Sequence, residues 1–86
     1  MHLSYTKNFK RQYKKLPQKT QHQFARRLHL FTKNHKNPLL KTHKLSGRYK
    51  NLYSFRVTGD IRVIYDADHD NTIIFVAIGS HSELYS

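Results

Sequence analysis

The hydrophobic pattern predicts an α+β fold in the order β-α-α-β-β-β. A helical hairpin is expected on one face of a small, twisted, mainly antiparallel sheet of about four strands. Three observations lead there. Between residues 7 and 34 the large apolar residues recur at helical spacing. From residue 52 to residue 78 they alternate or run on continuously, as in strands. The stretch between, rich in Asn, Pro, Ser, Gly and charge, does neither. Two amphipathic helices need a sheet face to cover their apolar stripes. A chain of 86 residues supports one modest core, so residues 1–86 read as a single domain.

His2 to Tyr5 alternates weakly and reads as a short strand, with Thr6 as a helix cap. Lys7 to Leu16 places Phe9, Tyr13 and Leu16 on one helical face and Lys7, Lys10, Arg11, Lys14 and Lys15 on the other. Pro17 fits a helix start. The second helix, to about Asn34, aligns Phe24, Leu28 and Phe31 with Ala25. Residues 34–51 read as a loop that anchors Leu39, Leu40 and Leu45 to the core. Leu52 to Val57 alternates, with Tyr53, Phe55 and Val57 facing the helices and Leu52, Ser54 and Arg56 facing away. Thr58-Gly59-Asp60 is a turn, Ile61 to Tyr65 a strand and Asp66 to Asn71 a second turn. Ile73 to Ile78 is apolar enough for a central strand. Gly79 is read as turning the backbone after it, and His81, Ser82, Glu83 and Tyr85 follow beside a half-open basic face.

Lys and Arg number 16 against five Asp and Glu, a formal net charge of +11. Such self-repulsion favours a polyanionic partner: nucleic acid first, then an anionic membrane or an acidic protein. The absence of cysteine excludes disulfides and thiolate chemistry. No stretch has signal-peptide or transmembrane character, so a cytoplasmic protein is expected. The seven histidines form no His-Glu-x-x-His pair and share no helix face well. Neither a metal nor a cofactor is expected.

Cleavage of RNA through its own 2′-hydroxyl needs a base, an acid for the departing 5′-oxygen and cations for the phosphorane. The sequence offers His43 in the loop, Asp60 at a turn, Arg56 and Arg62 on strands, and His81 past the last strand. Arginine suits phosphate because its planar fork donates two parallel hydrogen bonds. Histidine suits proton transfer because it ordinarily titrates near neutrality. The plainer reading pairs Arg56 and Arg62 with Asp60 or Asp66 as surface residues. It makes Asp60 a turn cap and leaves His43, His81 and Tyr85 to packing or solvent.

Two segments decide between these readings. HKLSGRYKNLYSFRVTGDIRVIY (residues 43–65) and IIFVAIGSHSELYS (residues 73–86) resemble the RelE/ParE superfamily of bacterial toxins, whose fold is related to the microbial ribonucleases. Within it the likeness is to the YafQ-type branch of ribosome-dependent mRNA interferases. The resemblance implies a type II toxin that cleaves mRNA on the ribosome in contact with 16S rRNA, without a metal, and that an acidic antitoxin silences. It implies catalytic roles for His81, Asp60, Arg62 and His43, and substrate contacts for Arg56, Tyr85, Lys44 and Arg48. Lys7, Lys10, Arg11 and Lys14 then face ribosomal RNA. The chain departs from the branch at Arg56, where the pattern has a histidine. Phosphate binding, not proton transfer, remains for that position. Two other functions share the pattern: a ParE-like gyrase poison without nuclease chemistry, and a nonspecific nucleic-acid-binding module.

Overall fold

The computed structural model describes residues 1–85. The strands are β1 (His2–Tyr5), β2 (His43–Lys44), β3 (Tyr53–Arg56), β4 (Ile61–His69) and β5 (Thr72–Ser80). The helices are α1 (Lys7–Lys14), α2 (Gln18–Lys33) and α3 (His81–Tyr85). The sheet runs β1-β5-β4-β3-β2, and only the β1–β5 pair is parallel. No helix among the described residues is long and apolar enough to cross a membrane.

Thr6 caps α1 as expected, its hydroxyl accepting the Phe9 N–H at 3.1 Å. The helix stops at Lys14, short of Leu16. Pro17 stands just outside α2, in the capping position, instead of opening it. Phe9, Phe24 and Phe31 are buried, Tyr13 and Leu28 pack half-buried at the edge, and Ala25 is exposed. From the sheet, Phe55, Val57, Val63, Tyr65 and Phe75 meet them. The contacts are largely aromatic: Phe31 lies 5.2 Å from Phe55 and 5.0 Å, edge-on, from Tyr65. Phe24 stands perpendicular to Phe75 at 6.0 Å. Such pairs add about 0.5–1.5 kcal/mol beyond the area they bury, which suits a chain poor in aliphatic residues. Burial pushes the Tyr65 hydroxyl up to about 12, so it stays neutral inside this cluster.

β1 is short, and its ladder with β5 ends at the Tyr5–Phe75 pair. Beyond that point a bulge at Val76 bends β5, and the backbone edge would be left without partners. α1 supplies them from its side chains. Thr6 and Asn8 both donate to the Val76 carbonyl, at 3.2 and 3.0 Å, and Gln12 accepts the Ile78 N–H at 2.9 Å. A polar helix face thus closes a sheet edge.

Five further expectations need correction. The stretch 34–51 is not all loop: β2 adds a fifth strand, flanked by 3-10 turns at Pro38–Leu40 and Gly47–Tyr49. Leu40 is fully buried, but Leu39 is 61% exposed, because consecutive residues of a one-turn helix cannot face the same way. β4 and β5 run past the core as a polar arm to His69, where Asp66 to Asn71 suggested a turn. Gly79 lies inside β5, paired with Arg62, instead of turning the backbone after it, and the chain enters α3 only beyond Ser80. The second sheet face is also less open than predicted. Ile64, Ala77 and Leu84 form a small core there, with Leu45, Tyr49, Leu52 and Val76 around it.

The Leu39/Leu40 contrast is directly measurable. Leu40→Ala should cost about 2–5 kcal/mol in urea unfolding, and Leu39→Ala within about 0.5. Similar losses at both positions would contradict the packing of this turn.

Candidate functional site

Strand alternation sends Ser54 and Arg56 of β3, and Arg62 and Ile64 of β4, to the face away from the helical hairpin. Register then sets Arg56 directly opposite Arg62, with Gly79 of β5 next in the row, and His43 opposite Ser54. Facing like charges destabilise a ladder unless something compensates. Among the described residues no carboxylate does so. The one ion pair among the described residues joins His69 to Asp66, far along the polar arm. Arg62 is steadied instead by the Gly59 carbonyl at 3.1 Å, with a longer contact to the Thr58 carbonyl at 3.4 Å. Arg56 keeps a buried Nε with no hydrogen-bond partner.

The two arginines line a cleft of about 380 Å³ together with Lys41, His43, Leu45, His81 and Tyr85. Among the described residues no carboxylate lines it. Lys41 reaches it from a left-handed backbone conformation (φ 52°) that ends the Pro38–Leu40 turn. His43 Nδ1 lies 3.1 Å from the Lys41 carbonyl. A carbonyl only accepts, so in the neutral ring Nδ1 carries the proton and Nε2 keeps the lone pair.

α3 delivers His81 and Tyr85 one helical turn apart, their rings 4.7 Å between centroids. Five residues make no stable helix alone, so this one is held from outside. At its start, Ser80 and Glu83 form a capping box. The Glu83 carboxylate accepts the Ser80 N–H at 2.8 Å and the Ser80 hydroxyl accepts the Glu83 N–H at 3.1 Å. The first of these bonds holds the Glu83 carboxyl below the usual carboxylate range. Its stabilisation is therefore complete at neutral pH and fades only as acid titrates through that lowered value. A Cβ on Gly79 would lie 3.2 Å from that carboxylate, so glycine leaves room for the cap. The His81 N–H donates to the Asp60 carbonyl at 3.2 Å. At the far end, Tyr49 and Arg48 both donate to the Leu84 carbonyl, at 2.7 and 2.6 Å, and Leu84 itself is buried.

Of the residues singled out from sequence, His43, Arg56, Arg62, His81 and Tyr85 therefore meet in one cleft. Asp60 does not line it; its side chain is exposed and its backbone carbonyl holds α3. Lys44 alternates away from His43 and lines a separate depression with Asp68. Arg48 supports α3 from beneath. Lys41 was not legible as a site residue, because its position depends on an unusual backbone angle. The capping pattern S-x-x-E at Ser80–Glu83 was the available signal for α3. Lys7, Lys10, Arg11, Lys14 and Lys15 do share one exposed depression on α1.

A family model described as "Bacterial toxin of type II toxin-antitoxin system, YafQ" matches residues 1–86. The chain belongs to the YafQ family. Solved structures agree in fold. YafQ from E. coli strain BL21(DE3) superposes with a TM-score of 0.81 at 22% identity, covering 98% of this chain and 97% of that one. YafQ in the E. coli DinJ–YafQ toxin–antitoxin complex gives 0.78 at 24% identity, covering 98% and 96%. A chain of the YoeB–YefM complex from Staphylococcus aureus gives 0.75 at 21% identity, covering 94% and 97%. No curated protein sequence matches.

The clamp on α3 can be tested in this YafQ-family chain. Ser80→Ala should weaken the cap by about 1 kcal/mol and speed hydrogen exchange of the 81–85 amides several-fold. Exchange in α2 should not change. Unaltered exchange in 81–85 would remove the capping box from the account of this site.

Proposed function

We propose that this YafQ-family toxin is a ribosome-dependent mRNA endoribonuclease that cleaves by internal attack of the 2′-hydroxyl. The observation that carries the proposal is the cleft itself. It places two arginines and a lysine beside two histidines, with no carboxylate among the described residues to neutralise them. A phosphodiester satisfies that imbalance, and a doubly charged phosphorane satisfies it better, so the cleft favours the transition state.

Each step follows from the side chains present. Arg56 and Arg62 hold the non-bridging oxygens of the scissile phosphate. His43, with its proton fixed on Nδ1, accepts the 2′-hydroxyl proton at Nε2. This arrangement favours His43 as base over Asp60, whose carboxylate stands outside the cleft. The 2′-oxygen forms its bond to phosphorus as the bond to the 5′-oxygen breaks, and His81 supplies the proton to the departing oxygen. Tyr85, on the same helical turn, offers a ring against which a base or ribose packs. The products are a 2′,3′-cyclic phosphate and a 5′-hydroxyl. An internal nucleophile needs no metal-bound water.

The wider setting follows from charge. The exposed Lys7, Lys10, Arg11 and Lys14 face of α1 supplies phosphate contacts to 16S rRNA. Silencing falls to an acidic antitoxin that covers part of the +11 surface. Two of the superposed relatives were solved in toxin–antitoxin complexes.

Primer extension on mRNA translated in a purified system tests the reaction. His81→Ala should slow cleavage by about 10²–10⁴-fold with the fold intact. Arg62→Ala should lose at least as much. Undiminished cleavage by His81→Ala, or products ending in a 3′-hydroxyl and a 5′-phosphate, would overturn the mechanism. Separately, reversing the charges of Lys7, Lys10 and Lys14 should weaken association with the small ribosomal subunit and flatten its salt dependence. Unchanged binding would move the docking face elsewhere.

A further inference from the structure

The helical side of the molecule carries a second cationic feature that the cleft does not use. At about 100° per residue, Lys19, His22, Arg26, His29 and Lys33 of α2 fall within an arc of about 80°. All five are exposed, and the arc lies opposite Phe24 and Phe31 in the core. At 1.5 Å per residue the row is about 21 Å long, with a cation or a histidine at each turn. The repeat of 3, 4, 3 and 4 residues keeps it straight.

Among the described residues no counter-charge faces this row. α2 contains no acidic residue, and all five carboxylates of the chain lie between positions 60 and 83, on turns, the β4–β5 arm and α3. Across the groove between the helices stand Lys10 and Lys14 of α1, which share a depression with Ala25 and Leu28. On the other flank, Arg27 is committed to the Leu39 carbonyl at 2.8 Å. The two histidines thus stand in a row of like charge that a polyanion would neutralise.

We propose that this face of α2 is a second nucleic-acid surface, one that grips the phosphate backbone of duplex RNA with His22 and His29 as proton-dependent contacts. The chemistry of the row selects that partner. It contains no Phe, Tyr or Trp, the broad rings on which single-strand binders stack unpaired bases. It has no apolar anchor, as the centre of a protein interface does. Evenly spaced cations suit a repeating phosphate backbone and read no sequence. Binding would take up protons, so affinity rises as pH falls through the ordinary histidine range. The surface is separate from the cleft, so the proposal does not depend on the nuclease reading.

Fluorescence anisotropy of a short blunt RNA duplex with the full chain tests this. Measurements are made at about pH 7.5 and about pH 5.5, on either side of the ~6.5 at which histidine ordinarily titrates. Lys19→Gln/Arg26→Gln/Lys33→Gln should weaken binding at both values and lower the salt slope by up to about 2.7, or 0.9 per contact. His22→Gln/His29→Gln should bind as the parent does at the higher pH but lose most of the gain at the lower one. His81→Gln should keep that gain, which separates this surface from the cleft. Circular dichroism confirms that each variant is folded. The proposal fails if the triple variant binds undiminished, or if the double histidine variant keeps its full pH response. It also fails if polyglutamate at equal charge competes as well as the duplex, since an acidic protein would then be the better partner.

Discussion

Two arginine side chains directly opposite each other on neighbouring strands, with no carboxylate of the described residues between them, are an arrangement a sheet does not adopt for its own stability. Arg56 and Arg62 hold it because the other face of the same strands is fixed by Phe55, Val63 and the rings packed on them. A slip of one residue would send the arginines into the aromatic core and the rings into solvent. The packing that makes the fold therefore also enforces the unneutralised charge that makes the site. Phosphate is a natural third party to such a pair, because it carries the charge that the ladder lacks.

The rest of the cleft depends on a five-residue helix that could not form alone. Each hold on α3 comes from a different part of the chain: the turn before β4 through the Asp60 carbonyl, the Gly47–Tyr49 turn through Tyr49 and Arg48, and β5 through the capping box and Gly79. These hydrogen bonds are short-range and directional, so His81 and Tyr85 are oriented before any ligand arrives. Substitutions at Tyr49 or Ser80, neither of which lines the cleft, would thereby alter its geometry.

Much of the fold was legible because its core residues are large and regularly spaced. Phe24, Leu28 and Phe31 keep helical spacing, and Tyr53, Phe55 and Val57 alternate. The cationic side of the site was legible for the same reason, since alternation alone sends Arg56 and Arg62 to one face. What escaped the sequence was short or polar. α3 buries a single apolar residue, Leu84, too few to show a period, and only its capping pair marked it. The β4–β5 arm is built from Asp66, Ala67, Asp68 and His69, which resemble turn residues until their pairing partners are known. β2 is two residues long and exposed, a strand defined only by its neighbour. Asp60 shows the remaining limit: its position beside the site was readable, but the direction of its carboxylate was not.

The attachment of α1 to the edge of β5 has a consequence for how the protein is made. Thr6, Asn8 and Gln12 bond to groups 70, 68 and 66 residues later in the chain. A ribosome synthesises the amphipathic, basic α1 long before the strand that anchors it exists. Until then its apolar face has only α2 to cover it, and the first strand has no neighbour at all. Contacts so far apart in sequence slow the final assembly of a domain. The last strand, once made, completes the sheet, closes the N-terminal segment onto it and leads directly into the helix that carries His81. The sheet and the cleft beside it are completed in one event.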